Sequence, residues 1–138
     1  MSISATTRLL MLLAPIYLWA SSAKGADSTP PSKVYVECTS NEVIGGSLCY
    51  SIRQKIQSLH RYELSADGDG ARYFIHLVSL DVLPTGRKDI LSAVAVAYCE
   101  MSSGLELYKT VEIHLVGVNV IKRVADQITN KLDSIARR

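Results

Sequence analysis

The side chains able to do chemistry in this chain are three histidines, three cysteines and a scatter of acids. Glu112 and His114 stand two apart in an alternating run, which puts both on one face of a strand. His76 lies in a second extended run and could sit across a sheet from them. Imidazole and carboxylate donors converging in this way are the material of a metal centre. His76, Glu112 and His114 are therefore the candidate metal ligands, and with a metal-bound water they would support a small metal-dependent hydrolase. A solvent-facing strand shows the same alternation without any metal, and that plainer reading is preferred.

Other chemistries find less. A cysteine nucleophile needs a neighbouring base and a partly exposed, electropositive setting, and no local cysteine-protease signature surrounds Cys38, Cys49 or Cys99. The run Asp67-Gly68-Asp69-Gly70 begins like a calcium loop but lacks the later carboxylate and the bidentate glutamate, so it reads as a hairpin turn. Gly45-Gly46-Ser47 could present N–H groups to an anion at a helix start, yet no lysine stands where a phosphate loop requires one. The serine-hydrolase elbow, the zincin motif and the dinucleotide fingerprint are absent. The reading thus assigns no catalytic residue and no cofactor.

The elements that must position these groups follow from periodicity. Val34 to Cys38 alternates apolar and polar, as a half-buried strand does. Ser47 is the expected N-cap of a helix running to about His60, with Leu48, Cys49, Ile52, Ile56 and Leu59 on one face. A short extended piece, Tyr62-Glu63-Leu64, precedes the turn. Arg72 to Leu83, Ile90 to Glu100 and Leu105 to Val116 read as three long strands, separated at Pro84-Thr85-Gly86 and at Ser102-Ser103-Gly104. Short turns make these three antiparallel neighbours. A second helix from about Asn119 carries the stripe Ile121, Val124, Ala125, Ile128, Leu132 and Ile135.

This order predicts an α+β fold of two layers: a mainly antiparallel sheet of four to five strands with two amphipathic helices on one face. Along Ile90 to Glu100, the small residues Ala93, Ala95, Ala97 and Cys99 form the side expected to receive a helix closely. Both faces of Arg72 to Leu83 are apolar, a surplus that two helices cannot cover. The remaining face is expected to carry either a second copy or a protein partner, or a cover of loops and long side chains from the chain itself, and the surplus favours neither over the other.

The cysteines follow the same faces. Cys38 shares the strand face of Val34 and Val36, and Cys49 lies on the apolar side of the first helix. Both point into one layer, so a Cys38–Cys49 disulfide is expected, with Cys49–Cys99 as the rival pairing. Cys99 otherwise reads as a small buried hydrophobe.

Charge and the N-terminus give an address. The 138 residues hold 15 Lys+Arg against 13 Asp+Glu, a formal charge of +2. Arg8 and Lys24 flank an apolar run of 12 residues, Leu9 to Ala20, and setting them aside leaves 13 against 13. No electrostatic case for nucleic acid remains. The run is shorter than the about 20 residues a membrane span needs, and small residues follow it. That is the pattern of a secretory signal peptide, cleaved near Ala23. The expected organisation is residues 1–23 as signal peptide, 24–33 as disordered lead-in and 34–138 as one domain, periplasmic or secreted, with no stable membrane span after cleavage.

Three stretches carry a likeness to known proteins: Gly46-Ser47-Leu48-Cys49-Tyr50-Ser51-Ile52-Arg53, the strand pattern Tyr73 to Leu77 with Leu80-Asp81, and Val116-Gly117-Val118 before a helix. Together they resemble small exported bacterial proteins of uncharacterised function. In element order the chain is also similar to small α+β envelope modules such as the TolB N-terminal domain. That resemblance implies protein contact rather than catalysis. The expected role is accordingly a non-enzymatic exported protein that contacts another envelope protein or itself. A secreted inhibitor or immunity protein is the alternative, and the small metal-dependent hydrolase the second alternative.

Overall fold

The computed structural model describes residues 29–82 and 90–138. The expected signal peptide, residues 24–28 of the lead-in and the Pro84-Thr85-Gly86 turn lie outside these residues. The elements run β1 (Ser32–Ser40), α1 (Val43–Gln57), β2 (Tyr62–Leu64), β3 (Tyr73–Asp81), β4 (Leu91–Ser102), β5 (Leu105–Gly117) and α2 (Ile121–Ala136), the last entered through a 3-10 turn, Val118–Val120. The fold is α+β, a five-stranded sheet in the order β2-β1-β3-β4-β5 with both helices packed on it.

The antiparallel part follows from the turns. β3 pairs with β4 and β4 with β5 through long antiparallel ladders. The Ser103-Gly104 turn joining β4 to β5 needs positive φ at both residues, 52° and 79°. β1 departs from the expectation, because it runs parallel to both β2 and β3. The segment β1-α1-β2 is thus a crossover unit, and Ser32 and Lys33 already pair with Tyr62 and Glu63. Asp67-Gly68-Asp69-Gly70 is consequently no hairpin: β2 and β3 lie on opposite sides of β1, and the loop between them crosses it. Gly68, at φ 85°, brings that loop against the rings of Tyr35 and Phe74.

Helix α1 starts a turn earlier than its apolar stripe predicts. Its cap is Glu42 rather than Ser47, the carboxylate accepting from the N–H of Ile44 (3.1 Å) and Gly45 (2.8 Å). A glutamate at this position is unusual, which is why the caps normally sought miss it. Gly45 then falls in the first turn, where a Cβ would overlap the Ser79 and Ser40 hydroxyls. The core lies between helices and sheet: Leu48, Ile52 and Ile56 of α1, Val124, Ile128 and Leu132 of α2, and Val34, Val36, Ile75, Leu77, Val94, Val96 and Tyr98 beneath them. Cys38 of β1 is joined to Cys49 of α1 by a disulfide, with Cα atoms 6.3 Å apart.

Glu42 also accepts a 2.6 Å hydrogen bond from the Ser92 hydroxyl of β4, so one carboxylate links a helix start to a central strand. Burial by itself raises its pKa, but the hydrogen bonds to the ionised form outweigh burial and hold it below its ordinary 4.5. A folded pKa below the unfolded one contributes stability above the unfolded value and loses it as pH falls through the folded value. Glu42→Gln is therefore expected to cost about 1 kcal/mol at neutral pH, with the gap to the natural chain narrowing as the solution is acidified and the folded carboxylate takes up its proton. Urea unfolding midpoints of both chains at neutral and at acid pH check this, and a gap that widens in acid would contradict it.

Candidate functional site

The pleat sends alternate residues to opposite sides of the sheet, and the helices cover only one side. On β4 that covered side is Ser92, Val94, Val96 and Tyr98. The Ala93, Ala95, Ala97 and Cys99 side, expected to receive a helix, faces away from both. The choice follows bulk: Val and Tyr fill the space under two helices, where alanines would leave voids.

The uncovered face is ordered by strand register. Val78, Ala95 and Ile113 form one row across β3, β4 and β5, and Leu80, Ala93 and Leu115 form the next. His76, Ala97 and Val111 make a third row, which Glu37 of β1 extends. Leu80 is 68% exposed, Ile113 77% and Leu115 65%. The alanines of β4 thus floor a shallow apolar trough between larger side chains on β3 and β5.

One end of this face is polar. His76 lies between two carboxylates, Nδ1 at 2.6 Å from Glu37 and Nε2 at 2.6 Å from Glu106. Its ring stacks on Phe74 with centroids 6.1 Å apart, and Phe74 meets Tyr35 edge-on. Burial disfavours the imidazolium, yet Glu106 and Glu37 together raise the pKa of His76 above its ordinary 6.5. Glu106 is held below the carboxylate range, chiefly by its hydrogen bond with His76. Cys99, 1% exposed, adjoins the pair, and burial with the Glu106 carboxylate pushes its thiol up to about 12. The metal-free thiol is consequently protonated at neutral pH and a poor nucleophile.

The expected metal trio does not assemble. Glu112 and His114 pair in register with Val96 and Val94, on the side covered by the helices, and His76 is on the opposite side. The backbone sheet separates them. Glu112 accepts from the Tyr98 hydroxyl at 3.2 Å and pairs with Lys131 of α2 at 3.2 Å, and His114 Nε2 lies 3.5 Å from it. This group fastens α2 to the sheet. Alternation along β5 is enough to put Glu112 and His114 on one strand face, but nothing in the sequence puts Glu37, Glu106 and Cys99 beside His76. Those neighbours depend on register, and on a shift between Tyr98 and Cys99 that carries Glu106 alongside.

A groove of about 540 Å³ between the sheet edge and α2 is lined by Arg72, Glu100, Lys109, Lys131 and Arg138. Its cations are largely matched within the chain: Glu100 pairs with Arg72 at 3.1 Å and Lys109 at 3.0 Å, and Lys131 pairs with Glu112. The uncovered sheet face is the better candidate.

No protein-family model matches the chain, and no curated protein matches it significantly. Among solved structures it is similar to the PelC dodecamer from Paraburkholderia phytofirmans, at 15% identity and a TM-score of 0.44, covering 69% of this chain and 80% of that one. A variant of the same dodecamer aligns at 14% identity and a TM-score of 0.47, over 70% and 84% of the two chains. The hypothetical protein CT253 from Chlamydia trachomatis aligns at 10% identity and 0.41, over 62% and 72%. At these values the likenesses carry no argument about function, and the resemblance to the TolB N-terminal domain gains nothing from them.

Proposed function

We propose that this chain is an exported, non-enzymatic protein that acts by protein contact, and that its contact surface is the uncovered face of the sheet. The observation that carries the reading is the apolar surface formed by Val78, Leu80, Val111, Ile113 and Leu115 around the alanines of β4. Apolar surface left in water costs about 25 cal/mol per Å², and contiguous patches of it mark interaction sites. Export is supported by the N-terminal pattern and by the Cys38–Cys49 disulfide, a bond that persists in oxidising compartments. Among the described residues no helix is long and apolar enough to cross a membrane.

A second copy is the first occupant to test. The trough of Ala93, Ala95 and Ala97 and the ridge of Val111, Ile113 and Leu115 are each three residues long and lie side by side. Twofold-related copies can therefore each seat a ridge in the other's trough, the self-complementarity an isologous interface needs. Sedimentation of the natural chain is expected to show a dimer. Ile113→Lys, which puts a charge at the centre of the ridge, should weaken it by at least about tenfold, equivalent to about 1.4 kcal/mol. A chain that sediments as a monomer, with no protein recovered by crosslinking in its native compartment, would overturn the proposal.

A further inference from the structure

The polar corner of the uncovered face goes beyond this reading, whatever covers the apolar part. His76, Cys99 and Glu106 each offer one donor atom, and the three atoms lie within 4.8 Å of one another. They come from three adjacent strands, β3, β4 and β5, so a rigid sheet rather than a loop holds them. The donor set is one imidazole nitrogen, one sulfur and one carboxylate oxygen, a mixture that suits a borderline-soft cation and not calcium or magnesium.

We propose that His76 Nε2, Cys99 Sγ and Glu106 form a site for a single zinc ion. Glu37 supplies the second, independent observation. Its carboxylate stands 2.6 Å from Nδ1, the nitrogen that would not bind the metal. Metal-binding histidines almost always give their other N–H to such a partner, which sets the tautomer and turns the ring. Here that arrangement is in place and aims Nε2 at the cysteine and the second carboxylate. Cys99 is buried, whereas Glu106 is 35% exposed, which leaves its carboxylate room to draw back from Nε2 and admit an ion. Tetrahedral zinc, with bonds of about 2.0–2.3 Å, holds its ligand atoms roughly 3.3–3.8 Å apart, so binding requires Glu106 to draw back from Nε2 and the wider-spaced donors to close in on the ion by side-chain rotation. Three protein ligands leave a fourth coordination position to be filled by water or another donor.

Binding balances as an exchange of protons for metal. The Cys99 thiol releases its proton to solvent as the sulfur–zinc bond forms, and any imidazolium form of His76 releases the proton on Nε2. Glu106 and Glu37 remain carboxylates throughout. Zinc uptake should therefore liberate protons.

The test uses the full chain with its disulfide intact. Because Cys38 and Cys49 are bonded to each other, a thiolate-to-metal charge-transfer band on adding cobalt can come only from Cys99. The band is expected with one equivalent of cobalt, to be displaced by zinc, and to be lost in Cys99→Ser. Glu37→Gln should weaken zinc binding by about 10–100-fold while leaving the band, since it removes only the orienting partner. Circular dichroism of the metal-free variants confirms that each is folded. No cobalt band from the folded natural chain, or zinc binding that Cys99→Ser leaves unchanged, would overturn the site.

Discussion

Replacing Leu77 with alanine is expected to cost about 2–5 kcal/mol of folding stability, whereas the same replacement at Leu80 should change it by less than about 0.5 kcal/mol. Both leucines are on β3, three residues apart, so composition, strand propensity and chain position are nearly equal. Their faces are not: Leu77 is 1% exposed beneath the helices and Leu80 is 68% exposed on the other side. Leu77→Ala removes three carbons from a packed layer that includes Ile75 and Val96, and leaves a cavity that neighbours held by two helices cannot fill. Leu80→Ala removes carbons already in water. Urea unfolding at a concentration where the chain is monomeric separates the two. Equal losses would mean that the uncovered face is packed against something within the chain, which would also remove the basis for a contact surface there.

Loss of the Cys38–Cys49 bridge is the second large effect. The bond closes a loop with a sequence separation of 11, short enough to place its contribution at about 2–3 kcal/mol, mostly by restricting the unfolded chain. For a domain of this size each kcal/mol shifts Tm by about 4–8 °C, so Cys38→Ala with Cys49→Ala should melt roughly 10–20 °C lower. The bridge ties the end of β1 to α1 and so fastens the crossover unit internally. A reducing agent should lower the melting of the natural chain by a similar amount and leave the double variant unmoved. A double variant that melts with the natural chain would show that the bridge contributes no stability. The remaining thiol, Cys99, is buried and takes no part in this comparison.

What could be read from residues alone was local. The stripe from Ile121 to Ile135 is helical because apolar residues recur every three or four positions, and α2 covers that span. Period-two alternation along β1 puts Cys38 with Val34 and Val36, and helical spacing puts Cys49 with Leu48, Ile52 and Ile56, so both point into one layer. Glu112 and His114 were correctly put on one side of β5 for the same reason. The start of α1 was not legible: the apolar stripe begins at Leu48, while the helix begins at Val43 because the Glu42 carboxylate accepts from the N–H groups of Ile44 and Gly45 in the first turn and from the Ser92 hydroxyl across the sheet. A local pattern reports the stripe, not the long-range hydrogen bond that extends it.

The chain by itself therefore determined its helices, its long strands, the apolar surplus on two faces and the pairing of its first two cysteines, all properties of spacing along one segment. Only the tertiary structure decided which face the helices would cover, that β1 would sit parallel between β2 and β3, and who would stand beside His76. A strand's alternation is unchanged when it slides by two residues or exchanges one neighbour for another, so it cannot encode register or strand order. Those are set by packing two helices over one face, and that choice put Glu112 and His114 against α2 and left His76 with Glu37, Glu106 and Cys99 on the open side.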